Sequence, residues 1–322
     1  NPFTRKEPWV FDEPHCDIQE EYLRLRHRLV GYLHSEQLNG REELLPLIRP
    51  MYWEHDGHEQ SWEVPNCFRF GSQMIVAPAT SPSYEATGKS VSNAWLPEGT
   101  WVDLMANLAY AGDRKIACWS DLGRTPLFAR AGSVIPLCGR AGKPESDGVL
   151  GALGRQAYVG VENPDALEIL VVTGADGDYE LLEDRDSDES LVRTKIHWND
   201  NEGILRVEAA VGDLGSLPQQ RELSLRLLGP NVHAELIELG TFLPTQGAQF
   251  LVTREAMSEK DKRTREIHRI LTHARCEVEL LTRLDSCWNQ GLGSFLAALN
   301  HEDIPHDLRD ALTQIAIASD LE

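Results

Sequence analysis

Basic residues are scarce in this sequence. Its 322 residues include 31 Lys and Arg against 51 Asp and Glu, which gives a net charge of −20. Because proteins that bind nucleic acid or anionic lipid need clustered Lys and Arg, the sequence predicts neither nucleic acid nor a membrane surface as a partner. No run approaches the roughly 18 apolar residues that a membrane-spanning helix requires. The chain is long enough for about two domains.

Paired cysteines are missing as well. The six cysteines, Cys16, Cys67, Cys118, Cys138, Cys276 and Cys287, form no C-x-x-C pair, which excludes a zinc ribbon and a thioredoxin motif. Their wide spacing is typical of thiols in a reduced compartment. No Asn-x-Ser/Thr glycosylation acceptor occurs. Together these absences predict a cytoplasmic protein.

The apolar pattern changes several times along the chain. Apolar residues spaced by three and four predict a helix over 17–38, with Asp17 as its cap and Gly40 just past its end. Short apolar runs then predict two antiparallel β domains on either side of a glycine-rich linker at 139–154, with helices after about residue 243. The predicted strands are 47–53, 68–77, 92–96, 101–104, 116–119, 127–137, 157–161, 167–172, 178–182, 192–198, 204–209, 222–228 and 233–239.

Several short motifs suggest chemistry but are better explained as structure. The Gly88-Lys89-Ser90 triplet lacks the earlier glycine of a phosphate-binding loop and predicts a surface turn. The acidic run 183–189 has Glu189 and Lys195 where a calcium loop needs Gly and Glu, which predicts an acidic turn. His55 and His58 have no evident third ligand, and His268 and His273 do not share a helix face. The sequence therefore predicts no metal site and no cofactor.

Carboxylates and aromatic residues leave the function open. Nothing in the sequence marks one carboxylate as an acid and another as a nucleophile. Trp53, Trp62, Trp95, Trp101 and Trp119 have rings that can stack on a sugar, but tryptophans of β domains more often lie in the core. Composition and spacing alone thus predict an acidic, mostly β protein of several domains and identify no activity.

Five motifs in order resemble glycoside hydrolase family 31. EPWVF at 7–11 and LRHRLVGYL at 25–33 together resemble one stretch of that family, EPW … LRYRLLPYLY, which is the first motif. The next matches are IRPMY at 48–52, FRFGSQMIVAP at 68–78, WLPEGTWVD at 95–103 and PLFARAGSVIPL at 126–137. These are similar to the family's RPLF, QFLFGxxLLVAPV, YLPEGxWYD and IPVFVRAGSIIPL. A weaker likeness continues through GADG at 174–177 and LLED at 181–184.

The resemblance implies an architecture and an activity. Residues 1–55 would be the helical end of a (β/α)8 barrel, 56–140 a proximal β-sandwich, 141–242 a distal β-sandwich and 243–322 a helical extension. The implied reaction of the whole enzyme is retaining hydrolysis of terminal α-linked sugars from an oligosaccharide, which would bind through the missing barrel. An α-glucosidase is favoured, and an α-xylosidase or a non-catalytic carbohydrate-binding or structural protein is the alternative. A homo-oligomer is also possible.

The resemblance further implies that the catalytic groups are elsewhere. The family's nucleophile and acid/base are aspartates upstream of the EPW motif, so we expect this chain to be a fragment that is inactive alone. Residues 101–107, with Asp103, superficially resemble the nucleophile motif but lie within the LPEGxW match. No catalytic residue is therefore assigned here, and the substrate-binding residues are unknown.

Overall fold

The computed structural model describes residues 7–139, 163–184 and 191–318. The helices are α1 (His15–Arg28), α2 (Val30–Glu43), α3 (Glu59–Trp62), α4 (Glu259–His273), α5 (Val278–Gln290), α6 (Leu292–Leu299) and α7 (His306–Ala316). Among these residues, no helix is both long and apolar enough to cross a membrane.

The strands follow each other closely between residues 48 and 251. They are β1 (Ile48–Pro50), β2 (Phe68–Phe70), β3 (Met74–Val76), β4 (Ser90–Leu96), β5 (Thr100–Asp103), β6 (Leu108–Ala111), β7 (Arg114–Ser120), β8 (Leu127–Arg130), β9 (Val134–Cys138), β10 (Ala166–Val172), β11 (Gly177–Glu183), β12 (Val192–Asn199), β13 (Ile204–Val207), β14 (Val211–Gly212), β15 (Arg221–Leu228), β16 (Glu235–Phe242) and β17 (Ala248–Leu251).

The chain divides into two compact units. The first unit comprises residues 1–47, 132–228 and 234–254, and the second comprises 48–131, 229–233 and 255–322. This division joins the N-terminal helices to the later strands, and the C-terminal helices to the earlier ones. The predicted domain boundaries at residues 55, 140 and 242 stay a prediction.

The first unit contains a four-stranded sheet and a five-stranded sheet. Their orders are β16-β15-β10-β9 and β11-β12-β13-β17, with β14 also paired to β12. All seven residues of β10 are buried, which is typical of a strand covered on both faces. β10 pairs in parallel with β15, whereas the other strand pairs among the described residues of this unit are antiparallel. The antiparallel prediction thus holds for this unit with one exception.

The predicted helix over 17–38 is two helices. α1 ends at Arg28 and α2 begins at Val30, so Asp17 lies within α1 rather than at its cap. Gly40 lies inside α2, which ends with Leu44 in the left-handed conformation at φ 58°. Gly40 is nevertheless constrained, since a Cβ there would lie 2.3 Å from the carbonyl oxygen of Leu45. Tyr32 of α2 is fully buried and stacks on Tyr179 of β11.

The second unit combines a six-stranded antiparallel sheet with helices. The strand order is β1-β2-β3-β8-β5-β6, and β4 pairs separately with β7. A core that includes Met51, Trp95, Trp101 and Phe128 lies among these strands. Helices α4 to α7 enclose a second core around Ile267, Leu284, Trp288, Phe295 and Leu308.

Several strand predictions differ from the structure. The run 68–77 is two strands, β2 and β3, with Gly71 between them at φ 67°, and the run 47–53 is β1 followed by a short 3-10 helix at Met51–Trp53. The run 127–137 is two strands, β8 and β9, because Gly132 between them has φ 87°, which favours glycine. The region after residue 243 contains β17 before the first helix, and β6 was not predicted. The strand predicted at 157–161 and nearly all of the linker at 139–154 lie outside the described residues. The barrel end expected over 1–55 stays a prediction.

Candidate functional site

The segment that follows β1 presents exposed aromatic rings. Tyr52 and Trp62 stack face to face, with ring centroids 4.2 Å apart and planes 7° from parallel. Tyr52 is 37 % exposed, Trp53 53 % and Trp62 56 %. We call these three residues the aromatic surface. Large aromatic side chains carry much apolar area, so exposing three of them in one short segment indicates a contact site.

Local packing explains why these rings face outward. Met51 is buried in the core of the second unit and anchors the segment. The buried Ser61 hydroxyl lies 2.8 Å from the carbonyl oxygen of His55 and 2.7 Å from that of His58, and so ties α3 to the preceding loop. The Trp62 indole N–H donates to the carbonyl oxygen of Asp56 at 3.2 Å. Hydrogen bonds therefore stabilise this loop, and its aromatic rings remain exposed.

His55 and His58 lie against Trp95, which is buried. The two imidazole centroids are 5.1 and 5.3 Å from the Trp95 ring and 6.1 Å from each other. Burial, together with the nearby Arg69 guanidinium, lowers the pKa of His55. Within the described part of the chain, no group of three or more His, Cys, Asp or Glu residues is placed to hold a metal ion. The histidines therefore serve as packing for the loop.

The aromatic surface has the chemistry of a sugar contact. A pyranose ring has an apolar C–H face that packs on an aromatic ring, while its hydroxyls need polar neighbours. Asp56, Glu59 and Gln60 are exposed in the same segment. Tyr52 was missed by the sequence analysis, because its only signal there is its position beside Trp53. Trp95 and Trp101 are core residues, as predicted, whereas the core prediction is wrong for Trp53 and Trp62, which are exposed.

Asp103 ends β5 beside a small cavity. Its Oδ1 accepts a hydrogen bond from the Met105 N–H at 2.8 Å, and surrounding protein atoms raise the carboxyl pKa to about 6 through burial. Arg124, Glu266 and Arg269 also line the cavity, whose volume is about 40 Å³. That space holds roughly three waters and is far below the 300 Å³ or more of typical ligand pockets. No pyranose ring fits beside Asp103.

Lys89 is buried rather than placed for phosphate binding. It is only 3 % exposed, and its Nζ lies 3.5 Å from an Asp121 carboxylate oxygen. Burial lowers the pKa of Lys89 to about 8. The predicted surface turn is therefore only partly right, because its lysine points into the protein as part of an ion pair.

The other candidate residues also have structural partners. Glu183 is buried and makes a two-pronged ion pair with Arg221, at 2.8 and 3.0 Å. Asp184 lies 3.1 Å from His34, and the rest of the acidic run, residues 185–189, is outside the described residues. His268 contacts Asp285 at 2.8 Å, whereas the His273 ring meets the Arg269 carbonyl oxygen.

Comparison with known proteins confirms the family resemblance. Residues 44–135 match the model of the glycosyl hydrolase family 31 C-terminal domain. Alpha-glucosidase 2 of Bacillus thermoamyloliquefaciens is 31 % identical over 135 residues, which are 42 % of this chain and 16 % of that protein. The alpha-xylosidase of Saccharolobus solfataricus is 24 % identical over 215 residues, which are 65 % of this chain and 27 % of that protein.

A solved structure shares the fold. The family 31 alpha-xylosidase from Xanthomonas citri superposes with a TM-score of 0.63 at 23 % identity, over 78 % of this chain and 27 % of that one. The chain thus spans between 16 % and 27 % of the length of these three proteins. The aromatic surface lies within the stretch that matches the family model.

Proposed function

We propose that this chain is the C-terminal region of a retaining α-glycosidase of glycoside hydrolase family 31 that hydrolyses terminal α-linked sugars. The match of residues 44–135 to the C-terminal domain of that family carries the proposal. An α-glucosidase is favoured, because the relative with 31 % identity is an alpha-glucosidase. The region's own task is to support the catalytic barrel and to add a carbohydrate contact.

An α-xylosidase is the second candidate. The alignment with the Saccharolobus solfataricus alpha-xylosidase covers 65 % of this chain, whereas that with the Bacillus alpha-glucosidase covers 42 %. The structural likeness to the Xanthomonas citri enzyme bears only on the fold. Activity of the full-length protein on α-glucosides and on α-xylosides decides between the two.

The chain is proposed to be inactive alone. A retaining glycosidase needs two carboxyl groups about 5 to 5.5 Å apart on either side of the scissile bond. Asp103 and Glu266 line one cavity, but Glu266 is ion-paired with Arg124 at 3.1 Å and with Arg269 at 2.9 Å. Because a sugar cannot enter that cavity, this pair lacks the room that the reaction requires.

The test is hydrolysis of 4-nitrophenyl α-D-glucoside and α-D-xyloside by the purified 322-residue chain. We expect no release of nitrophenol above the buffer rate. Turnover that disappears in Asp103→Asn or Glu266→Gln would overturn the proposal and place the active site in this cavity. Turnover that survives both substitutions would overturn it too and would place the site elsewhere in the chain.

The carbohydrate contact is tested by titration of malto-oligosaccharides and isomalto-oligosaccharides, followed by the NMR signals of tryptophan indoles. We expect the Trp53 and Trp62 signals to shift and the response to vanish in Trp62→Ala. Trp9→Ala is the matched control, because Trp9 is an exposed tryptophan of the other unit. A purely structural role for the aromatic surface predicts no shift with any sugar.

A further inference from the structure

The aromatic surface is not one flat platform, because its rings belong to two short elements. Tyr52 and Trp53 lie in the 3-10 helix Met51–Trp53, whereas Trp62 ends α3. A 3-10 helix has three residues per turn, so the side chains of Tyr52 and Trp53 leave it about 120° apart. Tyr52 is the one that meets Trp62, and these two residues are called the stacked pair. Trp53 therefore points in another direction from the ring that Trp62 covers.

The stacked pair leaves no room for a sugar between its rings. The centroids of Tyr52 and Trp62 are 4.2 Å apart, and their planes are 7° from parallel. A pyranose between two aromatic rings needs a contact of about 3.5 to 4 Å on each side, so the two rings would have to be at least about 7 Å apart. A sugar can thus stack only on an outer face of the pair.

Of the two outer faces, the one on Trp62 is the more open. Each ring covers one face of the other, and Trp62 is 56 % exposed whereas Tyr52 is 37 % exposed. Tyr52 also follows Met51, which is buried in the core. The Trp62 indole N–H already donates to the carbonyl oxygen of Asp56 at 3.2 Å, so the indole edge needs no further polar group. A ligand therefore meets this indole through its face.

Both ends of the segment that carries the stacked pair are fixed. At one end, Glu54 lies 2.6 Å from Arg49 of β1 and 3.1 Å from Arg69 of β2, and the two arginines are register partners. At the other end, the Ser61 hydroxyl lies 2.7 and 2.8 Å from two carbonyl oxygens of the preceding loop. Binding of a ligand therefore requires little further ordering of the chain.

The groups around Trp62 carry negative charge. Glu59 lies three residues before Trp62 in α3, and side chains at that spacing share a helix face. Glu59 and Asp56 are exposed acidic residues, and Gln60 adds an exposed amide. Carboxylates accept hydrogen bonds from sugar hydroxyls and repel the carboxylate of a sugar acid. The site therefore fits a neutral pyranose rather than an anionic one.

We propose that a neutral pyranose stacks on the outer face of Trp62, and that Tyr52 is a positioning residue that holds the Trp62 indole from behind. Trp53 is not part of the stacking ring. This assignment rests on the carbohydrate contact proposed above and gives each of its aromatic residues a role.

The test is titration with maltotriose, followed by the indole N–H signals in nitrogen-15 NMR. The Trp62 signal should shift more than the Trp53 signal. Trp62→Ala should abolish binding, whereas Trp53→Ala should keep the dissociation constant within about twofold. Tyr52→Leu should weaken binding by roughly 2- to 12-fold, the range that corresponds to one aromatic pair. Tyr52→Phe keeps a ring behind the indole and should bind as the unmodified chain.

Two further readouts separate positioning from a general loss of structure. Without sugar, the Trp62 indole signal should move in Tyr52→Leu and far less in Tyr52→Phe, because a stacked ring changes the resonance of its neighbour. Should Tyr52→Leu fail to fold, nuclear Overhauser contacts in the unmodified chain decide. Sugar protons should then contact the Trp62 ring, and contact of the sugar with the Tyr52 ring instead would overturn the assignment.

The carbohydrate contact and this assignment fail in different ways. If maltotriose shifts no indole signal, the contact is wrong and the assignment is overturned with it. If maltotriose binds but Trp53→Ala abolishes binding, or Tyr52→Leu binds as tightly as the unmodified chain, the contact stands and the assignment is overturned. Tri-galacturonate, an anionic α-1,4-linked trisaccharide, should shift no indole signal, and binding as tight as that of maltotriose would overturn the neutral ligand class.

Discussion

The two units each bury a charge cluster, and the clusters differ in their access to water. In the first unit, Glu168 of β10 is completely buried between Arg28, at 3.0 Å, and Arg226, at 2.6 Å. In the second unit, Glu266 is buried, but its partner Arg269 is 17 % exposed, and Asp121, which shares Arg269, is 34 % exposed. The same residue types therefore make a dry clamp in one unit and a partly exposed cluster in the other.

The difference arises from the elements that carry the charges. Glu168 lies on a strand between two others. Arg226 lies on the parallel strand β15, two residues beyond Ser224, which is the register partner of Glu168. Arg28 comes from α1 and also donates to the carbonyl oxygens of Cys138 and Gly139, both at 3.1 Å. In the second cluster, Glu266 and Arg269 extend from helix α4 to Arg124 and Asp121, which lie in the loop after β7. The paired strands and α1 enclose the first cluster, whereas the second lies where a helix meets a loop.

Substitution of the dry clamp is expected to cost the most stability. Glu168→Gln leaves two buried guanidiniums without a counter-charge, and the free energy of unfolding should fall by about 3 to 5 kcal/mol. Urea denaturation of the whole chain, followed by circular dichroism, measures the loss. Glu180→Gln is the control, because Glu180 pairs with Arg193 at the partly exposed surface and should contribute under about 1 kcal/mol. Equal losses of unfolding free energy in the two variants would show that the buried cluster contributes no more than a surface ion pair.

Glu266→Gln should cost less, although it removes a carboxylate of similar burial. Arg269 keeps Asp121 as a partner, and Arg124 is partly exposed to solvent. We therefore expect a loss of about 1 to 3 kcal/mol in the unfolding free energy. The same urea titration applies, with Glu98→Gln, which alters an exposed carboxylate of the same unit, as the control. A loss as large as that of Glu168→Gln would mean that water does not relieve the second cluster.

Asp103→Asn should stabilise the chain in a pH-dependent way. Burial raises the Asp103 pKa from 3.8 to about 6, so the folded state favours the protonated acid. Its contribution to stability is fully present below pH 3.8 and is lost as the pH rises through 6. The variant and the unmodified chain should match near pH 4, and by pH 7 the variant should be more stable by about 1 to 3 kcal/mol. Urea midpoints measured across this range test the sign, and a constant difference would contradict it.

Lys89→Met should change stability least near neutral pH. The substitution keeps the apolar stem and removes a charge that burial disfavours, while Asp121 retains Arg269. We expect a change within about 1 kcal/mol at pH 7. Above pH 8 the unmodified chain should become relatively more stable, because the lowered Lys89 pKa disfavours its charged form in the folded state. Thermal melts at pH 7 and 9.5 measure this, and a large loss at pH 7 would show that the Lys89 charge is needed.

Local patterns predicted the strands better than their connections. The spacing of apolar residues placed β5, β7, β10 and β12 within two residues of their observed bounds. It merged α1 with α2 and β8 with β9, because the apolar pattern continues across Leu29 and across Gly132, and it merged β2 with β3 across the turn at Gly71. The sequence pattern could not predict the parallel pairing of β10 with β15, because the two strands lie about fifty residues apart and pair only in the folded chain.

The candidate site, too, was predicted from the sequence in its local features and not in its contacts. The sequence identified Trp53 and Trp62 only as aromatic residues. The structure shows that these two are exposed, whereas Trp95 and Trp101 are buried in the core. The stacking of Trp62 on Tyr52 depends on a loop that the Ser61 hydrogen bonds hold in place. Asp103 appeared as a false nucleophile, and the structure gives it a different setting, beside a charge cluster whose members come from widely separated segments.

The sequence by itself determined the family resemblance, the acidic character and the β periodicity, because these depend on residue identity and short-range order. Only the tertiary structure decided which charges are buried, which rings face solvent and which carboxyl group has its pKa raised by burial. These properties depend on the distance between residues remote in sequence and on the water left between them, and a linear pattern specifies neither.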